Sequence, residues 1–306
     1  MSVRRAVALA LGTLLWPFAG REAGSLQASD TTPLRLGVMA EEPTKPQTML
    51  RVYGDLVALL RVRVAPDVRV EDLVIARDVE DLAARLRAEQ VDFVIETVFP
   101  TILLNRRSHA LEPTLVVVRR GLREYRAVFF TRKEEPIRTL ADLRGRLLVL
   151  QALRSTSAFA LPRAELLAAG LKVAPADDSR AGRDAVRYAL AGAEINQAVW
   201  VANGRGDAGA FNESDWQALP AGVRDRLRVF HRTRPILRGL LSFRSGFDSR
   251  TRARLESLLL ALHEDPEGRR VLRQASGITR LERLTSADRL GLRAWERTLG
   301  PIEPGP

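Results

Sequence analysis

Residues 34–39, Leu-Arg-Leu-Gly-Val-Met, alternate in the two-residue period of a half-buried strand. A proline-rich turn follows at 43–46. Met49, Leu50, Tyr53, Leu56, Val57 and Leu60 then recur at three- and four-residue steps, which predicts a helix. Residues 68–76 read as a strand. Asp78 is placed to cap a helix that shows Val79, Leu82, Ala83 and Leu86 on one face and ends near Gln90. Residues 91–95 form a short apolar strand interrupted by Asp92. This strand–helix–strand–helix–strand rhythm predicts a parallel α/β sheet.

Two strand-like runs follow, 114–118 and 125–131, with Gly121 between them. The rhythm then restarts. Residues 137–143 read as a short helical connector, 146–150 as a strand, and the stretch to Gly170 as a helix that Pro162 should kink or shorten. Residues 179–190 and 195–202 read as helical, and 207–211 as a buried strand end. Strands are expected at 227–231 and 239–243. The tail reads as helical: Asp248 caps a helix burying Leu255, Leu258, Leu259 and Leu262, and Asp265-Pro266-Glu267 starts another that Gly277 stops. Two α/β units joined near 125–131 and again near 227–234 describe a bilobed chain that crosses twice between its lobes. In such proteins ligands sit in the cleft, beside strand C-terminal ends and helix N-termini.

Ser155-Thr156-Ser157 stands where the strand at 146–150 gives way to that second-unit helix. Three hydroxyls can each donate, and the free N–H groups of a first helical turn point the same way, which makes an oxyanion cradle. The simpler reading of an isolated triplet is a Ser/Thr helix cap.

Composition narrows the class. Met1-Ser2-Val3-Arg4-Arg5, the small and apolar stretch 6–15, and small residues at Ala23, Gly24, Ser25 and Ala28 have the layout of a secretory signal peptide. The expected organisation is a signal peptide over 1–28, a first lobe from 29–126 and 233–306, and a second lobe from 127–232. There is no cysteine, hence no disulfide framework, thiolate metal site or lipid-attachable thiol; a soluble periplasmic protein is expected rather than a lipoprotein. His109, His231 and His263 lack metal-ligand spacing, so no metal and no cofactor is expected. The net charge of +11 is spread along the chain and carried almost wholly by arginine. That distribution argues against a nucleic-acid partner, while still drawing anions toward a cleft.

The chain resembles the substrate-binding proteins of phosphate/phosphite/phosphonate ABC importers over residues 34–284. The resemblance is carried by Val91-Asp92-Phe93-Val94-Ile95-Glu96 through Pro100, the stretches 125–133 and 137–145, Ser155-Thr156-Ser157 with Pro162, and the stretch 204–211 containing Asp207. It implies a bilobed type II periplasmic-binding-protein fold that closes on its ligand by a hinge. It also implies that Ser155, Thr156 and Ser157 hold the anion's oxygens, and that Thr44 to Thr48 and Glu96 to Phe99 face the cleft. Asp207 matches a family aspartate, with either a ligand contact or a structural bond to backbone N–H groups as its role. The chain departs from the family pattern at Arg154 before the triplet and Ala158 after it. A histidine common at the site is also absent, its stretch offering Glu194 and Asn196 instead, and Arg238 stands where some members have acids.

The expected function is a periplasmic binding component without catalytic residues. It would act as a monomer, capture a small oxyanion (phosphonate, phosphite or phosphate) and deliver it to a membrane permease. The candidate ligand-binding residues are Ser155, Thr156, Ser157, Thr44, Thr48, Glu96, Asn196, Asp207 and Arg238. The alternative is a ligand-sensing partner of a membrane-bound signalling protein with the same fold. A secreted hydrolase fits poorly, because no G-x-S-x-G elbow surrounds Ser155 or Ser157 and no ordered acid and histidine follow.

Overall fold

Two six-stranded sheets organise the protein, a computed structural model that describes residues 31–40, 46–64 and 66–302. The segment read as a signal peptide, 1–28, and Thr44 lie outside the described residues. In spatial order the first sheet is Ile278–Arg283, Leu111–Arg119, Leu240–Arg244, Phe93–Glu96, Leu36–Met39 and Val74–Ala76. The second is Val173–Pro175, Val186–Leu190, Leu147–Leu150, Ala208–Asn212, Ala127–Arg132 and Leu227–Arg232. Between them, the two crossing segments pair with each other: Glu124–Tyr125 runs antiparallel to Ile236–Leu237.

The expected parallel sheet is present only where strands alternate with helices. Leu36–Met39 pairs parallel with both Val74–Ala76 and Phe93–Glu96. Leu240–Arg244 returns from the second half and can only insert antiparallel, between Phe93–Glu96 and Leu111–Arg119. Both sheets are therefore mixed. The first buries Phe93 and Phe243, with Phe247 stacked on Phe243; the second buries Phe129, Phe130 and Phe211.

Several elements differ from the sequence reading for identifiable reasons. The strand expected at 34–39 breaks at Arg35. The buried Asp92 carboxylate accepts the Arg35 backbone N–H and its Nε, both at 2.9 Å. The expected strand at 68–76 is two strands, Val68–Val70 and Val74–Ala76, on different partners. Residues 179–190 are not helical: turns lead into Val186–Leu190, whose neighbours on both sides satisfy its backbone. The tail is not wholly helical either, since Ile278–Arg283 is an edge strand reached after Gly277 turns the chain at φ +71°. The helix Val98–Ser108 is buried on every side from Val98 to Leu104, so no amphipathic period announces its first two turns. The caps behave as expected: Asp78, Asp248 and Asp265 each accept the N–H three residues on, at 2.7–2.8 Å.

Pro162 shapes the triplet. Residues Thr156–Ala160 form a single wide π-type turn in which Ala160 N–H reaches Ser155 C=O at 3.0 Å. The α-helix Leu161–Ala168 starts only afterwards, with Pro162 in its first turn, where its missing N–H costs nothing. The irregularity expected from the proline thus falls N-terminal to it, in the turn that carries Thr156 and Ser157.

Candidate functional site

Where these features converge, a cavity of about 440 Å³ is lined by all three residues of the triplet. The end of Leu147–Leu150 and the π-type turn supply Ser155, Thr156 and Ser157 from the second sheet. The end of Phe93–Glu96 supplies Thr97 from the first. The crossing segments contribute Tyr125 and Arg238, and the end of Leu111–Arg119 contributes Arg119.

Charge is distributed unevenly around this wall. The Arg238 guanidinium lies over the Tyr125 ring, 4.5 Å from its centroid, and its Nη1 is buried without a hydrogen-bond partner. Arg119 Nε is likewise buried and unpartnered. Gly239 packs closely on Val117, which a Cβ there would meet at 3.3 Å; the Glu96 carbonyl at 3.4 Å and Arg119 Nε at 3.7 Å would be ordinary contacts. Arg120 is partly engaged by Asp215 at 3.7 Å. Burial pushes the Glu194 carboxyl up, with Asp215 adding to it and Arg120 and Arg238 opposing. Burial also pushes the Tyr125 hydroxyl up, with Arg238 and the Thr156 and Ser157 hydroxyls opposing. A wall of hydroxyls and incompletely paired guanidiniums can hold an acceptor-rich anion, since each group presents protons and positive potential.

The sequence-derived candidates divide. Ser155, Thr156, Ser157 and Arg238 meet at the cavity. Ser155 Oγ also caps the following turn, accepting Ala158 N–H at 3.1 Å. Thr48 lies in the helix Pro46–Arg63, outside the cavity lining. Glu96 sits one residue behind Thr97, also outside the lining. Burial raises its carboxyl to about 7, against the pull of Arg119 and the Thr97 backbone N–H. Asn196 is exposed on the helix Glu194–Ala202 and donates to Ala191 C=O at 2.9 Å. Asp207 accepts Leu147 N–H at 2.7 Å and approaches Arg146 at 3.3 Å, tying its loop to the strand Leu147–Leu150. Thr97 falls within the stretch Glu96 to Phe99 expected to face the cleft but is not itself among the sequence-derived candidates, and Arg119 and Tyr125 have no assigned role in the sequence reading. Their signal was positional only: all three lie at strand ends beside the crossings.

Residues 39–289 match the family described as "ABC transporter, phosphonate, periplasmic substrate-binding protein". The chain belongs to this family of periplasmic binding proteins. Its members are transport binding proteins rather than enzymes. No curated protein matches the chain. Among solved structures, XAC2383 from Xanthomonas citri bound to chloride ion is 29% identical, with a TM-score of 0.81 over 88% of this chain and 98% of that one. XAC2383 bound to ATP gives 28% identity and the same score over 89% and 98%. PhnD1 from Prochlorococcus marinus, in complex with methylphosphonate, shares the fold at 17% identity and a TM-score of 0.62, over 89% of this chain and all 100% of that one. The fold of this periplasmic binding protein is thus the bilobed type II arrangement expected from its sequence. Among the described residues no helix is long and apolar enough to cross a membrane.

Proposed function

We propose that this binding protein captures a small oxyanion (phosphonate, phosphite or phosphate) in the cavity between the two sheets and presents it to a membrane permease. The observation that carries this reading is the pair of guanidiniums, Arg119 and Arg238, each with a buried nitrogen lacking a partner, set around a hydroxyl cradle. An anion supplies the acceptors these groups lack. In this reading the protein acts in the periplasm after removal of a segment within residues 1–28, and it is not lipid-anchored, having no cysteine.

A second reading is a larger phosphate-bearing anion such as a nucleotide at the same site. The cavity of about 440 Å³ falls within the range of small-molecule pockets, and XAC2383 has been captured with ATP. Titration calorimetry with phosphate, methylphosphonate and ATP separates the two. Arg238→Ala should weaken the bound anion by about tenfold or more, as expected for a lost charged hydrogen bond. Unchanged affinity in that variant would remove Arg238 from the site, and no heat with any of the three would defeat the oxyanion reading.

A further inference from the structure

The Thr156 hydroxyl is occupied by the opposite half of the molecule. Its Oγ1 accepts Phe99 N–H at 3.1 Å and donates to Thr97 Oγ1 at 2.9 Å. A threonine hydroxyl has one proton, and the bond to Thr97 uses it, so Thr156 has none left for a ligand. Thr156 belongs to the π-type turn after a second-sheet strand, whereas Thr97 and Phe99 open the helix Val98–Ser108 after a first-sheet strand. Phe99 N–H is one of that helix's unpaired first-turn amides, and Thr97, at the N-cap, makes no side-chain cap bond with its own helix. Thr156 does the capping from across the cavity, and does so at 2% exposure.

The direction of this bond has a chemical result. Thr97 Oγ1 accepts the Thr156 proton and keeps its own, and Thr97 lines the cavity. Resting on the oxyanion reading of that cavity, we propose that Thr97 is the hydroxyl that donates to the anion from the first half, and that Thr156 is a positioning residue that latches the two halves and orients Thr97. The triplet is therefore not three equal contacts: Ser155 retains a proton for the ligand, while Thr156 joins the walls. A donor oriented in this way favours ligands whose facing oxygen is unprotonated.

The test uses the full protein with dye pairs. The chain has no cysteine, so two can be introduced at Val62, 82% exposed beside the first sheet, and at Arg180, whose side chain is 92% exposed beside the second. Without ligand, Thr156→Val should lengthen the dye separation, because Phe99 N–H loses its acceptor and needs water. Thr156→Ser should restore the wild-type separation, and circular dichroism should confirm that each variant is folded. If Thr156→Val does not fold, Thr156→Ala takes its place. An unchanged ligand-free separation overturns the latch. Thr97→Val should weaken whichever of phosphate, methylphosphonate or ATP the wild type binds by about tenfold, and Thr97→Ser should recover it. Wild-type affinity in Thr97→Val overturns the donor role. If the wild type binds none of the three, the oxyanion reading and the donor role fall together, while the ligand-free separation still decides the latch.

Discussion

At the scale of single residues, the site depends on which polar groups are already engaged. Asp207 and Asn196 hold backbone groups, whereas Arg238 and Arg119 keep unpartnered nitrogens. Residue type alone does not separate these cases, because an aspartate on a strand end reads the same whether it faces a ligand or a backbone N–H. Glu96 is a third case, a carboxyl raised by burial to about 7 from an ordinary 4.5. A raised carboxyl binds its proton more tightly when folded. Its contribution to stability is therefore fully present below about pH 4.5 and is lost as pH climbs through 7. Glu96→Gln removes that loss. Chemical denaturation should find the variant and wild type similar at pH 4.5, with the variant more stable by about 1–3 kcal/mol at pH 8. Equal stabilities at both pH values would show that Glu96 ionises freely.

At the scale of elements, legibility followed periodicity. The helices at Pro46–Arg63 and Val79–Arg87 and the strand Leu147–Leu150 were readable because one face, or one short apolar run, meets the core. Val98–Ser108 was not, since its first two turns are buried on every side and have no polar face to contrast with. Ile278–Arg283 and Val186–Leu190 were misread because their strand character comes from partners distant in sequence, Leu111–Arg119 and Leu147–Leu150. The final helix, Ser286–Leu299, is anchored by a capping box in which Thr285 and Asp288 bond each other's backbone N–H groups. Arg123, just before the crossing segment, grips Asp288 with two bonds of 2.9 and 2.6 Å and Glu282 with one of 2.8 Å. The Arg123 guanidinium and the capping bonds hold the Asp288 carboxyl down at about 2. A depressed carboxyl contributes stability above its unfolded value of about 3.8 and loses it as pH falls through 2. Asp288→Ala should cost about 1–3 kcal/mol at pH 7 and progressively less below pH 4, measured by thermal unfolding across that range. A cost that does not shrink in acid would assign the effect to packing rather than charge.

At the scale of the whole molecule, two sheets meet across a cavity and the chain passes between them beside a short antiparallel pair, Glu124–Tyr125 with Ile236–Leu237. The bilobed plan was visible in the sequence as a rhythm that stops and restarts. The membership of the cavity was visible only in part: the triplet and Arg238 are sequence candidates and Thr97 lies in a stretch expected to face the cleft, whereas Arg119 and Tyr125 join them only through the folded crossings. Around that site the chain carries a net charge of +11. Contacts at the cavity act at hydrogen-bond range and set how long an anion stays. The distributed arginines act through solvent, where about 0.15 M salt screens beyond roughly 8 Å, and they set how often an anion arrives. These two contributions separate experimentally. Stopped-flow tryptophan fluorescence with the anion that binds should show association slowing several-fold between about 0.02 and 0.5 M salt, while dissociation changes little. Arg238→Ala should do the opposite, speeding dissociation at every salt concentration with a smaller change in association. If salt acted mainly on dissociation, the positive charge would be working within the cavity itself, and the spread of arginine over the rest of the chain would have no part in capture.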